Sequence, residues 1–345
     1  MTHPVQVHSD IAGLAFPAMR QLLLHEANEH GLPVLTQEAD HLMVGSPFGA
    51  FGITAQSTGV RLHVRAQTND NLFVLRDALL EHLTHFLPDA TNGIRWSDTP
   101  VAGALPPNFQ FAKVLGKEPL AADFYRLHLQ LEKYDTFTDA AIHFRFVLPE
   151  QGNERPEWPS LKANGSVAWP QGEKTLHRPV YTARQLDPAT GIMVVDVYRH
   201  DGGRMTERVK QVSEGADLAL IGPGGTGVLD RAEVTLCGDE TAYPALARIV
   251  ESLPEGAKAN VLLSNRSGAQ DYPFPERAGV QLRWMTAPEP GAFAAAAAAL
   301  HRDQPAGFLW FAAEAAEVAE MRNHIKSEGW AKDDVYAATY WTRPH

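Results

Sequence analysis

The spacing of hydrophobic residues changes along the chain, and the changes divide it into three segments. In residues 1–103, apolar positions recur at helical spacing over residues 11–30 and again over residues 69–86. Between these two helices, residues 41–64 contain short runs that alternate between apolar and polar, and glycines separate the runs. The first segment is therefore predicted to be a small α+β domain, with two helices over an antiparallel sheet.

A proline-rich linker at residues 99–108 leads into a second segment, residues 109–228, whose apolar positions recur with a period of two. Several short alternating runs follow one another at regular spacing, with turn residues between them. This pattern is typical of a small closed antiparallel β-barrel.

The third segment, residues 229–345, alternates short apolar strands with helices. Such alternation predicts a parallel α/β sheet, in which ligands bind at the carboxyl ends of the strands. Residues 238–241 and residues 312–314 each stand at the end of a predicted strand. We therefore expect them to line the same edge of this sheet.

Composition narrows the class of protein. The chain has 345 residues, of which 44% are hydrophobic and 21% charged, as in a globular protein of two or three domains. No apolar run approaches the roughly 20 residues of a membrane span, and the first residues lack a basic, apolar leader. We therefore expect no membrane insertion. Cys237 is the only cysteine, which excludes a disulfide framework within one chain and favours the cytoplasm. The net charge of −11 disfavours a nucleic-acid partner.

The first segment is rich in histidine, which raises the question of a metal or haem site. No carboxylate or cysteine pattern completes a set of metal ligands around these histidines. Ordinary surface or half-buried histidines explain the pattern better, and we expect no protein metal site. The histidines concerned are His25, His30, His41, His63, His82 and His85.

Six short motifs follow one another through the second and third segments. They are Tyr181-Thr182-x-Arg184, His200 with Gly202-Gly203-x-x-Thr206, Gly222-Pro223-Gly224-Gly225, Gly238-Asp239-Glu240-Thr241-Ala242-x-Pro244-Ala245, Trp310-x-x-x-Glu314 and Tyr340-Trp341. Their order and spacing resemble the siderophore-interacting protein family of ferric-siderophore reductases, from about residue 109 to the end. The resemblance implies a ferredoxin-reductase-like plan, in which residues 109–228 bind FAD and residues 229–345 bind NAD(P)H. Residues 1–103 resemble a small bacterial domain of unknown function.

The resemblance implies that Tyr181 and Thr182 are the catalytic residues beside the flavin. The Tyr181 ring offers the isoalloxazine a flat apolar face, and the Thr182 hydroxyl would face the flavin N5 region. Ordinary barrel-strand residues would be compatible with the same two positions.

The resemblance also implies a pyrophosphate cradle. Glycines at this turn permit positive φ and let backbone N–H groups face an anion, although a plain hairpin would favour glycine as well. The residues implied in the cradle are His200, Gly203, Met205 and Thr206.

Which arginine contacts the FAD phosphates is left open by a departure from the family pattern. Related barrels place an arginine two residues before the tyrosine, where this chain has Pro179. Arg178 is displaced by one position, and Arg184 is the alternative. Two other departures are Arg208 in place of a tryptophan and Ala313 in place of a glycine.

The nicotinamide nucleotide is expected at Gly238, Asp239, Glu240 and Thr241, with Trp310 and Glu314 near the same cleft. Asp239 also suits a helix N-cap, which is the simpler interpretation of that carboxylate. Trp341 would either cover the second face of the flavin or close the last strand.

The implied reaction passes electrons from NAD(P)H through FAD to Fe(III) in a ferric siderophore and releases Fe(II). The chelator brings the iron ligands, so none are required from the protein. An anionic chelate calls for a cationic mouth, and the candidates are Arg204, Arg208, Lys210, Lys326, Lys332 and Arg343. Two alternatives remain open: a flavin reductase for a protein or quinone acceptor, and a non-enzymatic siderophore-binding protein.

Overall fold

The structure, a computed structural model, describes residues 5–29, 31–87, 94–98, 101–153, 155–286, 289–304 and 307–343. It separates into two units. The first combines Met1–Gln110 with Val147–Arg178, and the second combines Phe111–Phe146 with Pro179–His345. The sequence pattern placed residues 147–178 in the barrel segment, whereas the structure groups them with the first unit. The domain boundaries drawn from the sequence therefore stay predictions.

The first unit is built on a five-stranded antiparallel sheet in the order β1-β5-β4-β3-β2. Its strands are β1 (Val5–Ala12), β2 (Val34–Gln37), β3 (His41–Ser46), β4 (Gly49–Gln56) and β5 (Gly59–Ala66). The predicted α+β arrangement is confirmed. Sequence periodicity missed β1, although its side chains alternate between exposed and buried in the structure.

Two helices, α1 (Phe16–Glu29) and α2 (Asn69–Phe86), supply the apolar layer over this sheet. Met19 of α1 and Leu79 of α2 belong to the same buried cluster as Ile53 of β4 and Leu62 of β5. Thr68 caps α2, since its hydroxyl accepts a hydrogen bond from the Asn71 N–H at 3.2 Å. The segment 147–178 adds two short strands, β9 (Ser160–Leu161) and β10 (Val167–Ala168), to this unit.

The second unit begins with a seven-stranded antiparallel sheet in the order β11-β8-β14-β6-β7-β13-β12. Its strands are β6 (Phe109–Pro119), β7 (Phe124–Gln130), β8 (His143–Phe146), β11 (Val180–Thr182), β12 (Gln185–Asp187), β13 (Ile192–Tyr198) and β14 (Asp217–Gly224). Only two residues separate β11 from β12, which are the two edges of the sheet, and Arg184 N donates to Val194 O there. The chain thereby closes the sheet into the predicted barrel. One helix, α3 (Arg204–Gln211), lies between β13 and β14.

A five-stranded parallel sheet completes the second unit, in the order β17-β16-β15-β18-β19. Its strands are β15 (Glu233–Gly238), β16 (Lys258–Asn265), β17 (Val280–Thr286), β18 (Phe308–Glu314) and β19 (Val335–Trp341), and its helices are α4 (Tyr243–Ser252), α5 (Ala292–Arg302) and α6 (Ala315–Glu328). This confirms the predicted parallel α/β sheet. Phe124 of the barrel packs into the same buried cluster as Tyr243 and Tyr272, so the barrel and the parallel sheet share apolar core.

Candidate functional site

The strand that carries Tyr181 and Thr182 is paired with β8, and the pairing places Thr182 directly opposite His143. Thr182 Oγ1 lies 3.2 Å from His143 Nδ1, and both side chains are buried. On the other side of the imidazole, Nε2 lies 3.3 Å from the hydroxyl of Tyr340 at the end of β19. Three segments distant in sequence therefore meet at one histidine. The motif analysis did not single out His143, whose one sequence signal is its place in the alternating run 142–148.

The imidazole and phenol side chains around Thr182 are electrically neutral near pH 7. Burial and, to a smaller extent, the nearby Arg248 cation lower the pKa of His143 to about 4, so the imidazole carries no charge. Burial also raises the pKa of the Tyr181 and Tyr340 phenols, so both keep their protons. The Tyr181 ring is half-buried and contacts Phe146 edge to face, with 5.2 Å between ring centroids.

The glycine turn after β14 leaves room for the imidazole. A Cβ on Gly225 would lie 2.8 Å from His143 Cδ2, and the φ of Gly225 is +72°. Any side chain at this position would therefore displace His143 and would be strained as well. This gives the GPGG motif a local role in building the site.

The predicted phosphate loop leads into helix α3. Gly203 is its N-cap, and no side chain caps the first turn. A Cβ on Gly203 would lie 2.7 Å from the His200 ring, and the Thr206 hydroxyl accepts from the His200 N–H at 3.3 Å. Met205 and Thr206 are buried in that first turn. Uncapped N–H groups at a helix start attract anions, so this loop fits the diphosphate of FAD.

The two candidate phosphate arginines have other partners. Both terminal nitrogens of Arg184 donate to the Glu251 carboxylate at 2.6 Å, and the guanidinium is almost fully buried. Arg178 belongs to the first unit, where it lies over the Trp169 ring at 4.1 Å from its centroid. A phosphate role for either arginine remains a prediction, and for Arg184 it has to compete with a buried ion pair.

Helix α4 holds the strand that carries Thr182. Arg248 donates to the Ala183 carbonyl and, at 2.9 Å, to the Asp139 carboxylate. One turn further along, Glu251 binds Arg184. The helix that follows the Gly238–Ala245 motif of the parallel sheet therefore fixes the two residues that follow Thr182 in the barrel.

Asp239 is the organising residue at the carboxyl edge of the parallel sheet. Its carboxylate accepts from Thr241 N at 3.0 Å, Glu314 N at 3.0 Å and Trp341 Nε1 at 2.7 Å, and from the Thr241 hydroxyl. Burial raises its pKa in spite of these hydrogen bonds. The expectation that residues 238–241 and 312–314 share an edge is confirmed, since Gly238 also pairs with Ala312.

A cavity of about 420 Å³ opens at this edge. Asp239, Glu240 and Glu314 line it together with Arg266 and Arg343. The Arg266 guanidinium lies over the Trp341 ring, 4.1 Å from its centroid, and the Arg266 N–H donates to Glu240 Oε1 at 2.6 Å. Sequence reasoning missed Arg266, because it lies in a loop without a motif.

Trp310 is placed differently from the expectation. It was expected near the cleft of the nucleotide, but only 1% of it is exposed, and it stacks on Tyr336 in the core. Its position in the centre of β18 points it into the layer below, whereas Glu314 at the strand end reaches the cavity.

Histidines of the first unit contact other side chains of that unit. The Thr54 hydroxyl lies between His41 Nδ1 and His63 Nε2, at 2.9 and 2.8 Å, and His82 Nδ1 lies 2.7 Å from Glu26. His30 and the side chain of His85 lie outside the described residues. Within the part of the chain that the structure describes, there is no group of three His, Cys, Asp or Glu side chains that could hold a metal. Among those same residues, no helix combines the length and apolar character needed to cross a membrane.

A flavin-type barrel followed by a parallel α/β sheet defines the ferredoxin-reductase-like class of protein. Comparison with known families agrees with this class. Residues 113–227 match the model for a siderophore-interacting FAD-binding domain, and residues 231–344 match the model for a siderophore-interacting protein. The chain belongs to the siderophore-interacting protein family.

Individual proteins show the same likeness. The chain is 29% identical over 244 residues to the NADPH-dependent ferric-chelate reductase of Escherichia coli, a match covering 68% of this chain and 92% of the relative. It is 28% identical over 215 residues to the ferric vibriobactin reductase ViuB of Vibrio cholerae, covering 58% and 76%. Among solved structures, the siderophore-interacting protein SipS of Aeromonas hydrophila superposes with a TM-score of 0.59 at 23% identity, covering 69% of this chain and 93% of SipS.

Proposed function

We propose that this protein is a flavin-dependent reductase that passes electrons from NAD(P)H through FAD to Fe(III) in a ferric siderophore, releasing Fe(II). The cofactors are FAD and NAD(P)H. The Escherichia coli relative is named an NADPH-dependent ferric-chelate reductase, and we propose NADPH as the donor here as well. The cytoplasmic location remains a prediction.

One observation carries the proposal: within the second unit, side chains at the end of β19 connect the flavin motifs with the carboxyl edge of the parallel sheet, where the nicotinamide nucleotide is expected. Tyr340 contacts the histidine beside Thr182, and the next residue, Trp341, donates to Asp239 at the edge of the parallel sheet. A reductase of this kind needs the hydride donor and the flavin held against each other, because transfer depends on the alignment of the reacting atoms. The end of β19 connects the two sites that must be aligned.

Different residues of the chain would hold different parts of FAD and NAD(P)H. When bound, FAD supplies the conversion between a two-electron hydride donor and single-electron transfer to iron. The uncapped start of α3, with Gly203 as its N-cap, would hold the diphosphate. The Tyr181 ring and the Thr182 hydroxyl would hold the isoalloxazine. Glu240 and Thr241, with Gly238 and Asp239, would hold the nicotinamide nucleotide at the cavity edge.

The substrate would bind without protein ligands to iron. Each NAD(P)H delivers two electrons and accounts for two Fe(III). Positive charge for an anionic chelate is available on the exposed side chains of Arg204 and Arg208, whereas Lys210 is paired with Glu207 at 2.7 Å. Arg343 lines the cavity at the sheet edge. We expect Arg204 and Arg208 to contribute more to chelate binding than Lys210.

A visible spectrum provides the direct test. The purified protein is expected to be yellow, to bleach with NADPH under anaerobic conditions, and to regain its colour when a ferric siderophore is added with an Fe(II) trap. Two trapped Fe(II) are expected for each NADPH consumed. A protein that cannot be loaded with FAD would overturn the proposal. A flavoprotein that bleaches but reduces a quinone and not the chelate would keep the cofactors and reject the substrate.

A further inference from the structure

The buried contact between His143, Thr182 and Tyr340 is not explained by the motifs or by the family comparison. Thr182 and His143 are cross-strand neighbours of the barrel, whereas Tyr340 comes from the last strand of the parallel sheet, 197 residues from His143. Hydroxyls and imidazole are expensive to bury unless each is hydrogen-bonded, so the arrangement indicates a matched set of donors and acceptors.

The hydrogen-bond partners restrict which ring nitrogen carries the proton. Among the described residues, His143 Nε2 is the one hydrogen-bond partner of the Tyr340 hydroxyl, which is partly buried and keeps its proton. Tyr340 can donate that proton only if Nε2 is unprotonated. This contact favours the tautomer with its proton on Nδ1.

That tautomer determines what Thr182 can do. Nδ1–H donates to Thr182 Oγ1 across 3.2 Å, and among the described residues this is the one hydrogen bond of that hydroxyl. The Thr182 oxygen is then occupied as an acceptor, and its own proton is free. With the opposite tautomer, Thr182 would donate into the imidazole and would have no proton to offer a ligand.

We propose that His143 is a positioning residue that, oriented by Tyr340, presents Thr182 as a hydrogen-bond donor to the bound flavin. The inference rests on the proposed flavin site. It adds a direction to the Tyr340–His143–Thr182 chain: Tyr340 donates to His143, His143 donates to Thr182, and Thr182 donates to the flavin. The last strand of the parallel sheet thereby sets the proton position in the barrel.

The tautomer is measured first, on the full chain labelled with ¹⁵N-histidine and freed of flavin. Long-range proton–nitrogen correlation at pH 7 is expected to show a protonated Nδ1 and a bare Nε2 for His143, assigned by its loss in His143→Gln. Tyr340→Phe removes the hydroxyl and keeps the ring, and it is expected to populate both tautomers. Thr182→Val is the matched control and should leave Nδ1–H in place. A bare Nδ1 in the unmodified protein, or no change in Tyr340→Phe, overturns the proposal.

The consequence for the flavin is measured next, as the rate of flavin bleaching by NADPH and the midpoint potential of bound FAD. Thr182→Val and Tyr340→Phe should each slow bleaching about fivefold, the factor that corresponds to one hydrogen bond of about 1 kcal/mol. The double variant should be no slower than Thr182→Val alone, and Thr182→Ser, which keeps a hydroxyl, should bleach faster than Thr182→Val. Multiplicative effects in the double variant, or an unchanged midpoint potential in both single variants, would contradict the proposed series of hydrogen bonds from Tyr340 through His143 to Thr182.

The two parts of this test separate two failures. If the unmodified protein does not bind FAD, the proposed function fails, while the tautomer measurement still reports on His143. If FAD binds and bleaches normally but the tautomer is the opposite one, the reductase stands and the role of His143 falls.

Discussion

Each unit of this protein pairs a histidine with a threonine on an antiparallel sheet, and the two pairs have different surroundings. In the first unit His63 Nε2 lies 2.8 Å from the Thr54 hydroxyl, and in the second His143 Nδ1 lies 3.2 Å from the Thr182 hydroxyl. The pKa of each imidazole is lowered to about 4, mainly by burial. His63 nevertheless lies on the sheet face away from the helices, beside His8, Arg61 and Arg65 around a shallow groove. His143 is covered by Tyr340 from a different sheet.

The difference shows what turns a polar pair into a candidate site. A sheet by itself can bring a histidine and a threonine together, because cross-strand neighbours are close. A second layer from elsewhere in the chain is needed to bury the pair and to give the imidazole a second, directional partner. The second unit has that layer, in the form of β19 and α4, over the strand that carries Thr182.

The largest predicted effect comes from the buried arginine that each unit pairs with a partly exposed carboxylate. The pairs are Arg76 with Asp98 in the first unit and Arg184 with Glu251 in the second. Asp98→Ala and Glu251→Ala each leave a buried cation without its partner, and each should lower the free energy of unfolding by about 3 kcal/mol. Denaturant unfolding measures the loss, and only Glu251→Ala is expected to weaken FAD binding as well.

The matched control for this comparison is Glu255→Ala, a change of an exposed carboxylate just beyond α4. It should change stability by less than about 0.5 kcal/mol. Equal loss of FAD affinity in Asp98→Ala and Glu251→Ala would show that the ion pair of α4 has no special connection with the flavin strand.

A smaller effect is predicted at the start of α3, where the backbone itself is the binding group. Gly203→Ala places a Cβ against the His200 ring and the Thr206 hydroxyl, and it should weaken FAD binding about tenfold, or about 1.4 kcal/mol. Gly202→Ala is the matched control, because nothing lies within 4 Å of its Cβ. The φ of Gly202 is +73°, so that variant should lose about 1 kcal/mol of stability and keep its FAD affinity. Fluorescence titration with FAD measures the affinity of both variants. Equal weakening of FAD binding in Gly203→Ala and Gly202→Ala would contradict the proposed pyrophosphate cradle.

The smallest effect is the response of the two units to mild acid. A group whose pKa is lower in the folded state binds more protons when unfolded, so its contribution to stability is lost as pH falls. Lowering the pH from 7 to 5 should therefore destabilise both units through His143 and His63. In the first unit Asp77 opposes this, because burial and Glu81 raise its pKa to about 6 and the folded state takes up the proton more readily. Burial also raises the pKa of Asp239 and Glu240, which oppose the loss at the parallel sheet of the second unit, so the comparison is made in the barrel. Amide protection, corrected for the slower intrinsic exchange at pH 5, is thus expected to fall more around Phe144 than around Leu62, and a larger loss of protection around Leu62 would contradict the assignment.

Sequence alone predicted much of the architecture. The hydrophobic pattern changes from helical spacing to a period of two and then to alternating strands and helices. Because this pattern follows from which face of each element is buried, the fold type of each of the three segments could be predicted. The strand-end position of residues 238–241 and 312–314 also predicted correctly that they share an edge, since parallel strands end on the same side.

What the sequence could not supply are contacts between elements that no local pattern links. The grouping of residues 147–178 with the first unit and the burial of Trp310 away from the cleft depend on packing. The pairing of Arg184 with Glu251 depends on how the barrel and the parallel sheet meet. The contact of Arg266 with Trp341 depends on where β16 and β19 end within the parallel sheet. His143 gave no motif, because its importance lies in Tyr340, which is brought to it from 197 residues away. The sequence by itself determined the elements and the local motifs, since periodicity and turn chemistry are properties of neighbouring residues. Only the tertiary structure decided which side chains face each other at the site.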